Sequence, residues 1–218
     1  MHRVSDISVE ADIIQANKAI AERNRKILED NNVVGFDISG AIGSGKSSLI
    51  EEAVKALDLR TGVVAGDVLA KFDAERFKKL GVPTVPLNTG KECHLDAHIV
   101  SHALEELPLE SLDVVFFENV GNLICPTDFD IGAHRRIIVV SVTEGDDIVE
   151  KHPMIFLKSQ FAVINKIDIA EFVEASAEKM AEDAKRINPH IDVLLTSVRK
   201  KVNIDAWVEY LIRTVKEI

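Results

Sequence analysis

The segment Gly40-Ala41-Ile42-Gly43-Ser44-Gly45-Lys46-Ser47-Ser48 constrains this chain more than any other stretch. Its first eight residues fit G-x-x-x-x-G-K-[ST], between an apolar run at 33–38 and a helical pattern over 46–57. Glycines let such a loop wrap with its amides facing inward, and the helix behind it presents its positive end to the enclosed anion. In that arrangement the Lys46 ammonium reaches the β- and γ-phosphates of a nucleotide, and the Ser47 hydroxyl ligates Mg²⁺. A glycine turn fitting the pattern by accident would need neither the strand before it nor the helix after it. The reading is a phosphate loop, with 40–48 as nucleotide-binding residues.

Strands and helices alternate through the rest of the chain. Short apolar runs occur at 33–38, 63–65, 84–87, 114–117, 137–142, 161–164 and 193–195. Most are unbroken rather than alternating, as expected of strands buried on both faces of a parallel sheet. Helical patterns cover 46–57, 74–80, 95–107, 170–187 and 203–216. This order predicts an α/β fold: a three-layer, doubly wound, mostly parallel sheet of the P-loop NTPase type, with ligands at the carboxyl ends of the strands. Upstream, Val9, Ile13, Ile20, Ile27 and Leu28 predict an amphipathic helix over about 8–29, outside the sheet. A length of 218 residues suits one such domain and is too short for two, so 1–218 reads as a single domain.

Two acids follow apolar strand residues and are candidates for the rest of the magnesium shell. Asp67 comes after Val63-Val64-Ala65-Gly66, and Glu118 after Val114-Val115-Phe116-Phe117. Mg²⁺ takes few carboxylates beside phosphate oxygens and water, so one or two suffice. Each acid also has the bland alternative of capping the next helix. Gly121 would let a switch backbone approach a γ-phosphate. Lys46, Asp67, Glu118 and Gly121 form the candidate catalytic set.

The run Phe161-Ala162-Val163-Ile164 ends in Asn165-Lys166-Ile167-Asp168, an N-K-x-D tetrapeptide that resembles the base-reading motif of GTPases. There the Asp carboxylate accepts hydrogen bonds from guanine N1 and N2, and the Lys stem covers the ring. Adenine offers no matching donors, so the carboxylate would be left unpaired, a loss of roughly 1–3 kcal/mol. One strand later, Ser197 and Val198 stand where a small-residue loop meets the base. GTP and GDP are the expected nucleotides, which sets aside small-molecule kinases that share the loop without reading guanine.

The net charge of −10 argues against nucleic acid or an anionic membrane as main partner, because both need a basic surface. No apolar run approaches the roughly 20 residues that span a bilayer, and the first residues lack a secretory pattern. A cytoplasmic protein is expected. Its two cysteines are Cys93, in Gly90-Lys91-Glu92-Cys93-His94-Leu95-Asp96, and Cys125, in Asn122-Leu123-Ile124-Cys125-Pro126. Thiolate and imidazole suit Zn²⁺ or Ni²⁺. Spacing alone favours two unrelated buried thiols slightly over a metal site, since no C-x-x-C pair supplies a chelate. His98 and His102 follow His94 at helical spacing, as an extension of the site or a solvated face.

Together these segments resemble the HypB family, GTPases that assist nickel insertion into [NiFe] hydrogenases. The likeness runs through the phosphate loop, Ala65-Gly66-Asp67, both cysteine segments, Thr143-Glu144-Gly145-Asp146-Asp147 and Asn165-Lys166-Ile167-Asp168. It implies a Ni²⁺ or Zn²⁺ site at Cys93, His94 and Cys125, and a homodimer formed with GTP bound, as in the SIMIBI class. Slow GTP hydrolysis is expected from the residues themselves, with no glutamine beside Gly121 and no evident arginine finger. The resemblance has consequences for protein partners too. It implies a maturation partner and the hydrogenase large subunit. By resemblance, Lys151 is a candidate group that meets the nucleotide of the other protomer. The urease accessory relatives carry Cys-Pro-His, absent here. One departure is plain: residues 1–32 hold one His and no Cys, so an N-terminal nickel store is not expected.

Overall fold

The unbroken apolar runs form seven strands: β1 Val34–Gly40, β2 Thr61–Asp67, β3 Thr84–Asn88, β4 Val114–Gly121, β5 Arg135–Ser141, β6 Phe161–Asn165 and β7 Asp192–Leu195. The structure is a computed structural model that describes residues 3–67, 70–88 and 94–218, with side chains from residue 12 onward except at 67 and 70–73. Strand order is β3-β2-β4-β1-β5-β6-β7, and every described pairing is parallel, so the expected "mostly parallel" sheet is parallel throughout. The chain goes from β1 outward to β3, returns to β4 beside β1, and continues on the other side with β5 to β7. Because β1 sits at that reversal, the loop after it lies in the crevice where doubly wound sheets bind ligands.

Helices α1 Arg3–Asp30, α2 Lys46–Ala56, α3 Ala70–Lys78, α4 Ala97–Glu106, α5 Ile148–Lys151, α6 Pro153–Leu157, α7 Ala177–Ile187 and α8 Ile204–Glu217 cover the sheet. Successive strand residues point to opposite faces. Phe36, Ile38 and Val139 pack on one face with Leu49, Ala53, Phe77, Trp207 and Leu211. On the other, Val115 and Phe117 meet Leu28, Val100 and Leu104, while Ile138, Val140 and Ile164 meet Val149, Phe156 and Met180. Burial on both faces is why these runs lack alternation. No helix among the described residues is long and apolar enough to cross a membrane.

Three expectations needed correction. The helix foreseen over 170–187 begins only at Ala177: Ile167–Ile169 and Glu171–Val173 are 3-10 turns, and Glu174 takes a left-handed φ of 52°. Ser176 then caps α7, its hydroxyl accepting from Lys179 N at 3.1 Å. The short helices α5 and α6 were not foreseen. The first helix does lie outside the sheet, but Ile13 and Ile27 are exposed. The buried stripe is Asn17, Ala21, Asn24 and Leu28. The asparagines dock the helix by hydrogen bonds: Asn17 donates to Asp130 O at 2.7 Å, and Asn24 to Ala97 O at 2.7 Å and Ile131 O at 3.1 Å.

His134 leads into β5 and is buried. Its Nδ1 accepts the Gly35 amide at 3.0 Å, so protonation there would break a contact at the start of the β1–β5 pairing. Burial, reinforced by Arg25 and Arg135, lowers its pKa from 6.5 to about 4. The unfolded chain therefore takes up the proton first as pH falls. Stability is full above about pH 6.5 and is lost between there and pH 4. Urea unfolding is expected to give about 2 kcal/mol less stability at pH 5 than at pH 7.5 from this group, and His134→Asn should flatten that slope. Equal slopes in both proteins would assign the acid sensitivity elsewhere.

Candidate functional site

The phosphate loop follows β1 directly. Gly45, at φ 110°, precedes the first turn of α2, and a side chain there would overlap the Asn165 amide. Lys46 opens α2 and is buried, its Nζ donating to Gly40 O at 3.1 Å and Ala41 O at 3.0 Å. The ammonium is thus held inside the loop by carbonyls of the loop itself. Ser44 is fully buried, and its hydroxyl has no hydrogen-bond partner among the described residues. Ile42 and Gly43 form the exposed tip, and Ser48 lies in the first turn of α2.

Glu118 lies inside β4 rather than after it, because the strand runs on to Gly121. One of its carboxylate oxygens accepts the Ser47 hydroxyl at 2.6 Å, so two proposed magnesium ligands face one another across the β1–β4 boundary. An oxygen-only pair of this kind, one hydroxyl and one carboxylate, matches the donor chemistry of Mg²⁺. Asp67 ends β2, two strand positions from the loop. At Gly121 any side chain would overlap Ile42, so this glycine lets the end of β4 pack against the phosphate loop. The neighbouring Asn122 amide donates to Gly40 O at 3.1 Å.

The N-K-x-D segment converges on the same crevice. Asn165 Nδ2 donates to Ser44 O at 2.9 Å, while its Oδ1 accepts from Lys166 N at 2.7 Å and Val198 N at 3.3 Å. One side chain therefore ties the phosphate loop to both base-side loops. Asp168 accepts the Ser197 hydroxyl at 2.5 Å, which fixes its carboxylate at the mouth of the crevice. Lys166 has a left-handed φ of 64°, and its Nζ reaches Thr143 at 3.3 Å.

Sequence reasoning assigned no role to Glu144. Its Oε1 accepts from Ser141 N at 2.9 Å and Ser141 Oγ at 3.1 Å, and burial raises its pKa against the pull of these bonds and of Lys166 and Lys46. The Ser141-x-x-Glu144 capping-box spacing was the available signal. Glu144 interacts electrostatically with both lysines of the site, Lys166 and Lys46.

Of the cysteine segments, Cys93 lies outside the described residues. His94 is buried with its ring on Phe129, centroids 4.0 Å apart. Cys125, a partly buried free thiol, begins the 3-10 turn Cys125–Thr127. Phe129 follows that turn closely, so the His94 and Cys125 segments are packed together. His98 and His102 are exposed on α4, their rings edge to face at 4.8 Å. Among the described residues no three metal-ligating side chains converge. Lys151 is exposed and ion-paired with Asp147 at 2.5 Å. A groove of about 670 Å³ is lined by Phe161, Asp192 and Tyr210, where β6 and β7 begin. It is therefore at the opposite end of the strands from the phosphate loop.

Residues 35–195, which span the sheet from β1 to the end of β7, match the family described as CobW/HypB/UreG, nucleotide-binding domain. A probable hydrogenase maturation factor HypB from Methanocaldococcus jannaschii is 54% identical over 220 residues, covering 100% of both chains. The crystal structure of hydrogenase maturation factor HypB from Archaeoglobus fulgidus is similar with a TM-score of 0.87 at 44% identity, over 92% of this chain and 99% of that one. HypB from Helicobacter pylori, solved in complex with nickel, gives 0.89 at 30% identity, over 93% and 96%. By its fold, its phosphate loop and a likeness that runs the length of the chain, this protein belongs to the CobW/HypB/UreG nucleotide-binding family, among the HypB hydrogenase maturation factors.

Proposed function

We propose that this chain is a slow GTPase and metallochaperone that binds Ni²⁺ or Zn²⁺ as cargo and assists nickel insertion into [NiFe] hydrogenase through a GTP-dependent dimer cycle. The observation that carries the nucleotide half is the 2.9 Å bond from Asn165 to Ser44 O. It ties the proposed base-reading segment directly to the phosphate loop, as a site that holds both ends of one nucleotide requires. Residues 40–48 cradle the phosphates, Lys46 neutralises charge on the β- and γ-phosphates, and Asp168 and the Ser197–Val198 loop enclose guanine. Bound Mg²⁺ would be held by Ser47 with Glu118 and Asp67, and would supply charge neutralisation between the phosphates. Gly121 keeps the end of β4 against the loop. Slow turnover follows from the sequence, which offers no glutamine beside Gly121 and no evident arginine finger.

Cys93, His94 and Cys125 are the proposed cargo ligands, a soft donor set suited to Ni²⁺ or Zn²⁺. The packing of His94 on Phe129 supports it, as does the nickel complex of the Helicobacter pylori relative. The expected setting is the cytoplasm, with a maturation partner and the hydrogenase large subunit as the proteins met there.

Guanine reading is tested at Asp168. In xanthine a carbonyl replaces the 2-amino group, so an amide that donates there fits where a carboxylate did. Asp168→Asn is expected to weaken GTP binding about 10–100-fold and to favour xanthosine triphosphate, each lost charged contact being worth about 1–3 kcal/mol. Equal GTP affinity in both proteins would remove this segment from base recognition. The cycle is tested by sedimentation with GDP and with a non-hydrolysable GTP analogue, each with and without Ni²⁺. Dimer with the analogue and monomer with GDP is the expected result, and Lys151→Ala should weaken that dimer. By linkage, dimerisation must then tighten GTP binding by the same factor. A monomer under all four conditions would overturn the dimer cycle and leave the nucleotide assignment standing.

A further inference from the structure

Two polar chains converge from opposite sides on one buried carboxylate that the reading above leaves unused. Asp37 lies in the middle of β1, three residues before the phosphate loop, and is 1% exposed. Its Oδ1 accepts from Asn119 Nδ2 at 3.2 Å and Ser39 Oγ at 3.0 Å, and its Oδ2 from Arg136 Nε at 2.7 Å. Asn119 is equally buried, and its Oδ1 accepts the Leu95 amide at 3.0 Å, the peptide that joins Leu95 to His94. On the far side Arg136 donates from its second arm to Phe129 O at 2.9 Å, and the Phe129 ring lies on His94. One carboxylate therefore anchors the backbone at His94 through Asn119, and the loop that follows Cys125 through Arg136.

A charge buried in the centre of a sheet is costly unless it is paired, and packed apolar residues would hold β1 to β4 and β5 at least as well. What apolar residues would not do is fix a peptide amide on one strand-end segment and a carbonyl on another at a set separation. Metal ligands need that kind of support, because the groups that orient the ligands contribute strongly to affinity. Resting on the cargo-site reading above, we infer that Asp37 is a positioning residue for that site: through Asn119 and Arg136 it sets His94 and the Cys125 loop relative to each other. It does not touch the metal. Glu118 and Asn119 are consecutive on β4, one turned to Ser47 and the other to Asp37. The phosphate loop and the cargo segment therefore hang from the same strand end.

The test uses the full chain without an affinity tag, titrated with Ni²⁺ against a chromophoric chelator, alongside binding of a GTP analogue to the metal-free protein. Asp37→Asn keeps the shape and removes the charge. Expected is a 10–100-fold loss of Ni²⁺ affinity with a weakened sulfur-to-nickel charge-transfer band, and GTP-analogue affinity within about twofold of wild type. The exchange Asp37→Asn/Asn119→Asp restores a donor–acceptor pair between 37 and 119, an acceptor for Leu95 N and an acceptor for Arg136. It is expected to recover most of the affinity, which a merely fold-stabilising charge would not predict. If Asp37→Asn alone does not fold, the exchange variant and Asn119→Ala carry the test: the first should bind Ni²⁺ nearly as wild type, the second as poorly as stated above. Cys125→Ala is the control. If it loses Ni²⁺ while Asp37→Asn and Asn119→Ala bind as wild type, the positioning role is overturned. If Cys125→Ala itself binds as wild type, the cargo-site reading has failed instead, and this inference with it.

Discussion

Lys46→Ala is expected to slow single-turnover GTP hydrolysis at saturating nucleotide by about 10²–10³-fold, the usual effect of deleting one group that stabilises transition-state charge. The reason lies in the loop. Lys46 is 7% exposed at the first residue of α2, with its ammonium already inside the loop on the carbonyls of Gly40 and Ala41. Phosphate oxygens compete for those same donors, and they gain most as negative charge spreads over the transferred group. A methyl group offers nothing in return. The fold should survive, because alanine is the best helix former and the lost group is a cation that is costly to bury. Thermal unfolding of the nucleotide-free protein is the accompanying measurement, expected within a few degrees of wild type. Hydrolysis within threefold of wild type would remove Lys46 from the reaction.

The second large effect concerns the cargo. Replacing Cys93 or Cys125 by alanine is expected to weaken Ni²⁺ and Zn²⁺ binding by at least about 10²-fold each, since a thiolate is a major share of the binding free energy in sulfur-containing sites. Cys125 is only partly buried at the start of a 3-10 turn, so chelator-treated protein should unfold as wild type does after its removal. Binding by thiolate and neutral imidazole releases protons, so wild-type affinity should also fall as pH drops. A double cysteine variant that holds metal as wild type does would dissolve the Cys93–His94–Cys125 assignment.

The legible parts of the site were those written in consecutive residues. G-x-x-x-x-G-K-S and N-K-x-D announce themselves because each is a short run of consecutive residues, as a phosphate cradle or a proposed base-reading segment must be. What joins them was not legible. Asn165 seemed a fixed letter of the base motif, yet its side chain spends its donor on Ser44, 121 residues earlier. Gly121 reads in the sequence as a place where a switch backbone approaches a γ-phosphate, and only the fold shows that its lack of a side chain also clears Ile42. The His94–Phe129 packing joined two segments that the sequence showed only as separate thiol and imidazole signals.

The secondary structure divides along the same line. Apolar runs located all seven described strands: the inner five are largely buried on both faces, and the partly exposed edge strands β3 and β7 still carry apolar residues enough to be read. Their ends were another matter. β4 outruns its apolar run by including Glu118, Asn119, Val120 and Gly121, with Glu118 accepting from Ser47 and Asn119 donating to Asp37 across the fold. The first helix was found by its periodicity and misread in its orientation. Isoleucines outweigh asparagines in any hydrophobic count, but Asn17 and Asn24 hydrogen-bond backbone groups of α4 and the 130–131 segment. By itself, then, the sequence determined the fold and marked the phosphate loop and the N-K-x-D segment, because each rests on local spacing and solvent transfer. Tertiary structure alone decided which polar residues were buried and what they held: Asp37 meets Arg136 across 99 residues of chain, and no local pattern encodes a partner that far away.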